Sequence, residues 1–291
     1  MSVILAALLL LQDADPDQLV RRLGSDDIGE RDRATAALQS LGAKAIPALL
    51  RASSSEDPEI KGRARGLLQP IRDREARDFL VDLERRIQAT PGFRIGMTVR
   101  LEGPGDKDVV TGKGELLGKT GRKVFTSLQR TTSKVQGERI LVSNGEDLAT
   151  RREMVSWNLR SAPSGLDRKL VSAFVRSGLS YWWFRSDGFM TRDPGAVYDL
   201  VDVKAQDPDG ESAVLTYRMS DRETVNTLDV RLWYDPKTGR PLRRSFRGVL
   251  FPMRELDEER SRPWTWTEQY EEFDLNALIS DEQFRLPEAG K

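Results

Sequence analysis

Two hydrophobic periods divide the chain. From Asp15 to Gln88 apolar residues recur every three or four positions, as on one side of an α-helix; from Phe93 onward they recur at every second position, as on one face of a β-strand. The change is abrupt. Phe79, Leu80, Leu83 and Ile87 keep the helical spacing, Thr90-Pro91-Gly92 interrupts it, and FRIGMTVRLEG then sets Phe93, Ile95, Met97, Val99 and Leu101 against Arg94, Gly96, Thr98 and Arg100. A strand patterned in this way has one dry and one wet face, as in an antiparallel sheet.

Within the helical part, DDIGERDRATAALQSLG (Asp26 to Gly42) aligns with EDPEIKGRARGLLQPIR (Glu56 to Arg72), pairing Ala34 with Ala64, Leu38 with Leu68 and Leu41 with Ile71. Asp26, Asp27 and Asp57 stand where N-caps belong, and Pro58 suits a first turn. Between the two segments, AKAIPALLRA predicts a helix with Ile46, Leu49 and Leu50 on one side and Pro47 in its first turn, where no ladder hydrogen bond is lost. A separate helix is expected from Arg77 to Gln88. The segment Leu19 to Ile71 resembles about two HEAT-type repeats; a plain helical bundle would carry the same pattern. Arrays of this kind present a surface to a partner, and two repeats suit a spacer or docking arm.

Beyond Phe93 the alternation predicts strands at Val109–Leu117, Lys123–Arg130 and Arg139–Ser143, then an Asn144-Gly145 hairpin turn into Asp147–Arg152. A helical insert from Gly165 to about Ser180 carries Leu166, Leu170, Phe174 and Val175 on one side. Strands resume at Tyr198–Lys204, and a turn is expected at Asp207-Pro208-Asp209-Gly210. Ala213–Met219, Asn226–Tyr234, Leu242–Gly248 and Trp264–Leu275 complete the set. In TLDVRLWYD the alternation separates Leu228, Val230 and Leu232 from Asp229, Arg231 and Trp233. The expected fold is α+β: a curved antiparallel sheet with an inserted helix, behind an all-α segment. Domain boundaries are expected at 1–14 (an apolar leader), 15–75 (helical) and 76–291 (sheet).

Composition narrows the chemistry. The 46 Lys and Arg residues balance 46 Asp and Glu residues, so no net positive field favours nucleic acid. Basic pairs such as Arg151-Arg152 and Arg243-Arg244 read as solvated faces. The chain has no Cys and no His, which excludes disulfides, thiolate nucleophiles, imidazole metal sites and a Ser-His-Asp triad; no cofactor or metal is indicated. Val3 to Leu11 is too short to span a bilayer and has the size of a secretory hydrophobic region, although no Lys or Arg precedes it; a buried first helix is the other reading. The first reading places the protein outside the cytoplasm, in the periplasm or its equivalent; the second leaves it in the cytoplasm.

The phrases LVSNGEDLATRR, RLWYDPKTGRPLRR and YEEFDLNALISDEQFRLPE, in this order around the insert, resemble the outer-membrane lipoprotein-carrier group, LolA-like, including its relatives among anti-sigma-factor regulators, over roughly Phe79 to Pro287. The resemblance implies an incomplete β-barrel with a helical lid, a closing strand at Tyr270, and Phe284 packing under the open edge. It also implies non-covalent binding of an acyl chain, a lipid or another hydrophobic ligand, with no enzyme activity. No ligand-binding Arg of the family can be matched, and Phe251 to Trp266 does not map onto its pattern.

The candidate lining is therefore Met97, Val99, Leu101 and Leu232 on the strands, Phe174 on the insert, Trp182, Trp183 and Phe184 just after it, and Trp264 and Trp266 near the end. Tyr181-Trp182-Trp183-Phe184 reads either as a lid lip touching ligand or a membrane interface, or as packing of the insert onto the sheet. Trp264 and Trp266 share a face with Tyr270. Glu268 and Glu272 fall on one side at strand spacing, but acids among so many arginines read as solvated. The partner expected is a hydrophobic ligand, with a protein docked on the helical arm as the alternative in which the sheet encloses a filled core.

Overall fold

A computed structural model describes residues 15–103, 109–120, 123–131, 136–152, 157–178, 198–221, 227–248 and 263–287. The leader Val3–Leu11, the candidate residues Trp182, Trp183 and Phe184, and most of the stretch Phe251–Trp266 lie outside the described residues. The chain divides into two compact units, one of residues 1–78 with 203–205 and one of residues 79–202 with 206–291.

The first unit is built from α1 (Pro16–Arg22), α2 (Ile28–Leu41), a short 3-10 turn (Gly42–Ala45), α3 (Ile46–Ala52) and the start of α4 (Pro58–Ala89). Of the predicted caps, Asp27 and Asp57 form and Asp26 does not. Asp27 accepts from Gly29 N at 2.8 Å, and Asp57 accepts from Glu59 N at 2.8 Å and Ile60 N at 3.2 Å. Each satisfies amide donors that a helix start leaves without intrahelical acceptors. Leu19, Leu23, Leu38, Leu49, Ala64 and Ile71 form one core. Pro47 lies in the first turn of α3.

One boundary differs. The helices expected to end at Arg72 and restart at Arg77 are a single 32-residue helix, α4, with Pro70 inside it. Pro70 is exposed and stands one turn after the exposed Gly66, so the carbonyl that loses its amide partner faces water rather than core. A second HEAT-like repeat needs a turn where α4 runs on, and the structure lends the repeats no support.

The second unit is dominated by an eleven-stranded antiparallel sheet in the order β6-β5-β4-β3-β2-β1-β11-β10-β9-β8-β7. Its strands are β1 (Gly92–Glu102), β2 (Val109–Lys119), β3 (Lys123–Thr131), β4 (Gln136–Ser143), β5 (Asp147–Arg152), β6 (Asn158–Ser161), β7 (Tyr198–Asp209), β8 (Ser212–Asp221), β9 (Thr227–Tyr234), β10 (Pro241–Gly248) and β11 (Trp264–Asp274). The inserted helix is α5 (Leu166–Ser177). The sheet is open, with β6 and β7 at its two ends. The connection that brings β11 beside β1 joins two runs of meander, so the first and last strands of the unit lie at its centre.

Two strand expectations change. The short strand β6 was not anticipated: its four residues are all exposed, so no hydrophobic alternation marks it. The turn expected from Asp207 falls instead at Gly210–Glu211, and β7 continues through Pro208. An edge strand tolerates proline because one side of it makes no ladder hydrogen bonds.

The C-terminal half of α4 lies against the strands of this unit. Phe79 stacks on Tyr234 with ring centroids 4.0 Å apart, and Arg86 donates to the carbonyls of Thr238 and Gly239, each at 3.1 Å. Gly239 turns the β9–β10 hairpin with φ +66°, a conformation that calls for glycine.

The chain's closing phrase is placed differently from expectation. Phe284 is buried, but it packs with Ile279 on Leu117, and Phe125 and Ala277 join them. Leu117 and Phe125 are paired across β2 and β3 in mid-sheet. The tail thus covers an apolar patch on the outer face of the sheet rather than sealing an edge. Lys119 Nζ anchors it, donating to Ile279 O at 3.0 Å and pairing with Asp281 at 2.7 Å. Truncating Phe284 to Ala removes a buried ring from this patch and is expected to cost about 3 kcal/mol. Equilibrium urea unfolding checks this, and a loss below about 0.5 kcal/mol would show that the tail does not belong to the core.

Candidate functional site

Strand register assembles a continuous dry face. Residues paired directly across neighbouring strands point the same way, so each cross-strand row lies on one face. One row runs Leu215, Leu232, Arg244, Glu268, Val99, Gly112 across β8, β9, β10, β11, β1 and β2. The next runs Tyr217, Val230, Phe246, Trp266, Leu101, Val110. On the other side, Tyr270 and Met97 are paired, with Gly114 beyond them.

The expected residues that are described fall together here. Met97, Val99, Leu101, Leu232 and Trp266 are all buried on this face; Trp264 has the same parity at the start of β11 and is half-buried. Trp266 stacks on Phe246 with centroids 4.6 Å apart. Phe174, buried on α5, meets Tyr270 edge-on at 5.5 Å and brings the helix onto the same face.

Two ions sit in the middle of this apolar surface. Arg244 and Glu268 are both 0% exposed and lie 3.9 Å apart, Nη1 to Oε2. Charges are not left in such a place without partners, because removing each from water costs several kcal/mol. The partners come from α5. Arg244 Nη1 donates to Phe174 O and Nη2 to Val175 O at 2.9 Å, while Tyr217 Oη donates to Arg176 O at 2.6 Å. The carbonyls of a helix's last turn carry the negative end of its dipole, and most of them lack intrahelical donors; Phe174 O also accepts from the capping Gly178 N. A buried guanidinium answers both needs at once. Glu268 in turn accepts from Tyr270 Oη, and the rings of Phe174, Phe246 and Tyr270 surround the Arg244 guanidinium at 5.5, 5.8 and 5.9 Å.

Gly178 allows this close approach. It ends α5 with φ +68°, donates to Phe174 O at 3.1 Å, and a Cβ there would stand 2.4 Å from Glu268 Oε2.

The electrostatics follow from burial. Burial pushes the Tyr217 phenol up, with Arg244 pulling against it and Glu268 reinforcing it. Burial pushes the Tyr270 phenol further, well above the usual range, against the pull of Arg244. For Arg244 burial works against the charge, but Tyr217, Tyr270 and Glu268 around it outweigh that and hold its proton more tightly than usual. Arg244 is therefore held as a cation and both phenols as neutral donors; Arg244 and Tyr217 bond the end of α5, and Tyr270 bonds Glu268 beside them. Through Arg244 and Tyr217 the arrangement fastens the C-terminal end of α5 to the sheet.

Sequence reasoning missed this cluster and assigned Arg244 and Glu268 to solvent. Arg243-Arg244 does not form one solvated face: Arg243 is on the wet face and Arg244 on the dry one. Glu268 is not solvated, and Glu272 does not share its side. A bulge at Glu271 shifts the register, so that Glu272 faces Gly96 while Tyr270 faces Met97. The available signal was parity. Arg244 alternates with Leu242 and Phe246, and Glu268 with Trp266 and Tyr270, so each ion occupies a position that the period-two pattern reserves for the dry face.

No protein-family model and no curated protein matches the chain. Among solved structures it is similar to a LolA superfamily protein from Nitrosomonas europaea, with 15% identity, covering 72% of this chain and 97% of that one at a TM-score of 0.32. It is also similar to the Mycobacterium tuberculosis lipoprotein LppX, with 10% identity over 72% of this chain and 100% of that one at a TM-score of 0.35. A third similarity is to the Pseudomonas aeruginosa MucA/MucB complex, with 14% identity over 73% of this chain and 61% of that one at a TM-score of 0.35.

Replacing Arg244 by Met leaves Glu268 and the α5 carbonyls buried without their cation, and is expected to cost about 3–5 kcal/mol. The Arg244→Met, Glu268→Leu double variant removes both charges and recovers most of that loss; urea unfolding of the two proteins checks the order. The phenols make a separate test. Tyr217 and Tyr270 are expected to ionise above the range of a free phenol in an alkaline titration followed by phenolate absorbance. Because their folded pKa values lie above the unfolded one, their contribution to stability is intact below about pH 10 and declines as the pH rises beyond it.

Proposed function

We propose that the protein is a non-enzymatic binder of a hydrophobic ligand, an acyl chain or lipid, held between α5 and the dry face of the sheet. The observation that supports this most directly is the way α5 is fastened. The face beneath it is aromatic and aliphatic along five neighbouring strands, and the polar contacts that fix the helix gather at its C-terminal end, on Arg244 and Tyr217. A helix tied at one end over an apolar surface can swing without breaking a distributed hydrogen-bond network. The surface it uncovers favours hydrocarbon over water at about 25 cal/mol per Å². Met97, Val99, Leu101, Phe174, Leu232, Trp264 and Trp266 are the proposed contact residues, with Trp182, Trp183 and Phe184 as the proposed lip.

The sequence likeness to lipoprotein carriers agrees with this reading, as does the apolar Val3–Leu11 leader with a site of action in the cell envelope. Among the described residues no helix is long and apolar enough to cross a membrane.

One observation favours a second reading. The rows around Arg244 are closely packed, with Phe246 on Trp266 and Phe174 on Tyr270, as in a filled core. In that case the sheet is a rigid platform and the protein acts as a scaffold or sensor through a protein partner.

Native mass spectrometry of protein purified without detergent and incubated with oleate separates the two. Stoichiometric uptake supports ligand binding; absence of any adduct overturns it and leaves the scaffold reading. Tyr217→Phe, which removes the hydroxyl that donates to Arg176 O, is expected to keep the bound acyl chain but to speed its exchange about fivefold, the equivalent of one hydrogen bond near 1 kcal/mol. Stopped-flow displacement of a fluorescent fatty acid reads that rate.

A further inference from the structure

The wet face of the sheet carries a second concavity, independent of the ligand proposed for the dry face. A groove of about 670 Å³ crosses the outer surface of β3, β2, β1, β11 and β10. Its lining includes three cations, Arg100, Lys113 and Arg243, and the hydroxyls of Thr98, Thr111 and Thr267; no carboxylate lines it. Register explains the grouping. Arg243, Gln269, Thr98 and Lys113 form one cross-strand row, and Thr267, Arg100 and Thr111 form the next.

The cations are not equivalent. Arg100 pairs with Glu102 at 2.6 Å, and Arg243 stacks on Trp233 at 3.8 Å with Asp209 3.9 Å away. These contacts fix both guanidinium groups while leaving other N–H donors for a ligand. Lys113, flanked in its row by Thr98 and Gln129, has no acid partner among the described residues. The result is a surplus positive charge ringed by neutral donors on a hydrogen-bonded ladder. A carboxylate offers two oxygens; the several cationic and hydroxyl donors here suit the three oxygens of a phosphate monoester, and the threonines and glutamines suit hydroxyls beside it.

We propose that this groove binds a phosphate monoester of a small, hydroxyl-rich molecule, with Lys113 as the principal charge and Arg100 and Arg243 as the fixed flanks.

Isothermal titration of the full chain with glucose 6-phosphate, glucose and inorganic phosphate at constant ionic strength tests it. Saturable binding of glucose 6-phosphate is expected, with glucose weaker by at least about tenfold. Lys113→Glu, at an exposed strand position, and Arg100→Gln should each weaken binding, the first by more than about tenfold. Lys237→Glu, in the exposed β9–β10 turn, should leave binding unchanged. No binding, or binding equally affected by Lys237→Glu, overturns the proposal. Binding to phosphatidylglycerol vesicles alone, with none to the soluble ester, overturns it in favour of a membrane-facing surface.

Discussion

The second unit is organised around a buried guanidinium. Arg244 sits in the centre of an apolar sheet face, and its charge is tolerable there only because three sources of negative potential converge on it: the Glu268 carboxylate and the final carbonyls of α5 at Phe174 and Val175. The dependence is mutual. Without the arginine, the helix end has carbonyls and a dipole facing hydrocarbon; without the helix, the arginine has one carboxylate at 3.9 Å and aromatic faces. Tyr217 and Tyr270 complete the closure by giving their hydroxyl protons to the remaining acceptors, and burial keeps those protons in place.

Such a cluster specifies position more than it adds stability. Apolar packing alone would let α5 slide across a face made of Leu, Val, Phe and Trp, because many placements bury similar area. A forked donor opposite two consecutive carbonyls admits one. Gly178 sharpens this choice, since the chain must pass within a Cβ's reach of Glu268. The interface therefore combines a permissive apolar surface with one discriminating polar contact.

The two faces of the sheet differ in kind, although the formal net charge of the chain is zero. The dry face concentrates aromatics and hides its ions. The wet face distributes Thr, Gln, Arg and Lys, and two of its arginines are held by neighbours, Arg100 by Glu102 and Arg243 by Trp233 and Asp209. The C-terminal tail covers an apolar patch of the wet face, on Leu117 and Phe125.

How much of this was legible beforehand depends on the range of the interaction. Helix starts are local, and Asp27, Asp57 and Pro47 announced them correctly. Strand faces are nearly local, since period two is fixed by backbone geometry; Met97, Val99, Leu101, Leu232 and Trp266 were assigned to the dry face from spacing alone. Features without periodicity escaped, such as the four exposed residues of β6, and two expected interruptions did not form, one between Arg72 and Arg77 and one at Pro208. The Glu271 bulge reversed the side expected for Glu272, because it arises from pairing with β1 and leaves no mark within β11. Phe284 was recognised as buried but not where, because its partners lie about 160 residues earlier. For Arg244 and Glu268 the parity was present in the sequence, yet composition argued for solvent. The sequence by itself determined which residues face inward and where the elements begin; only the tertiary structure decided that two inward-facing residues would be ions, since a charge can be buried only where a partner from a distant segment arrives to meet it.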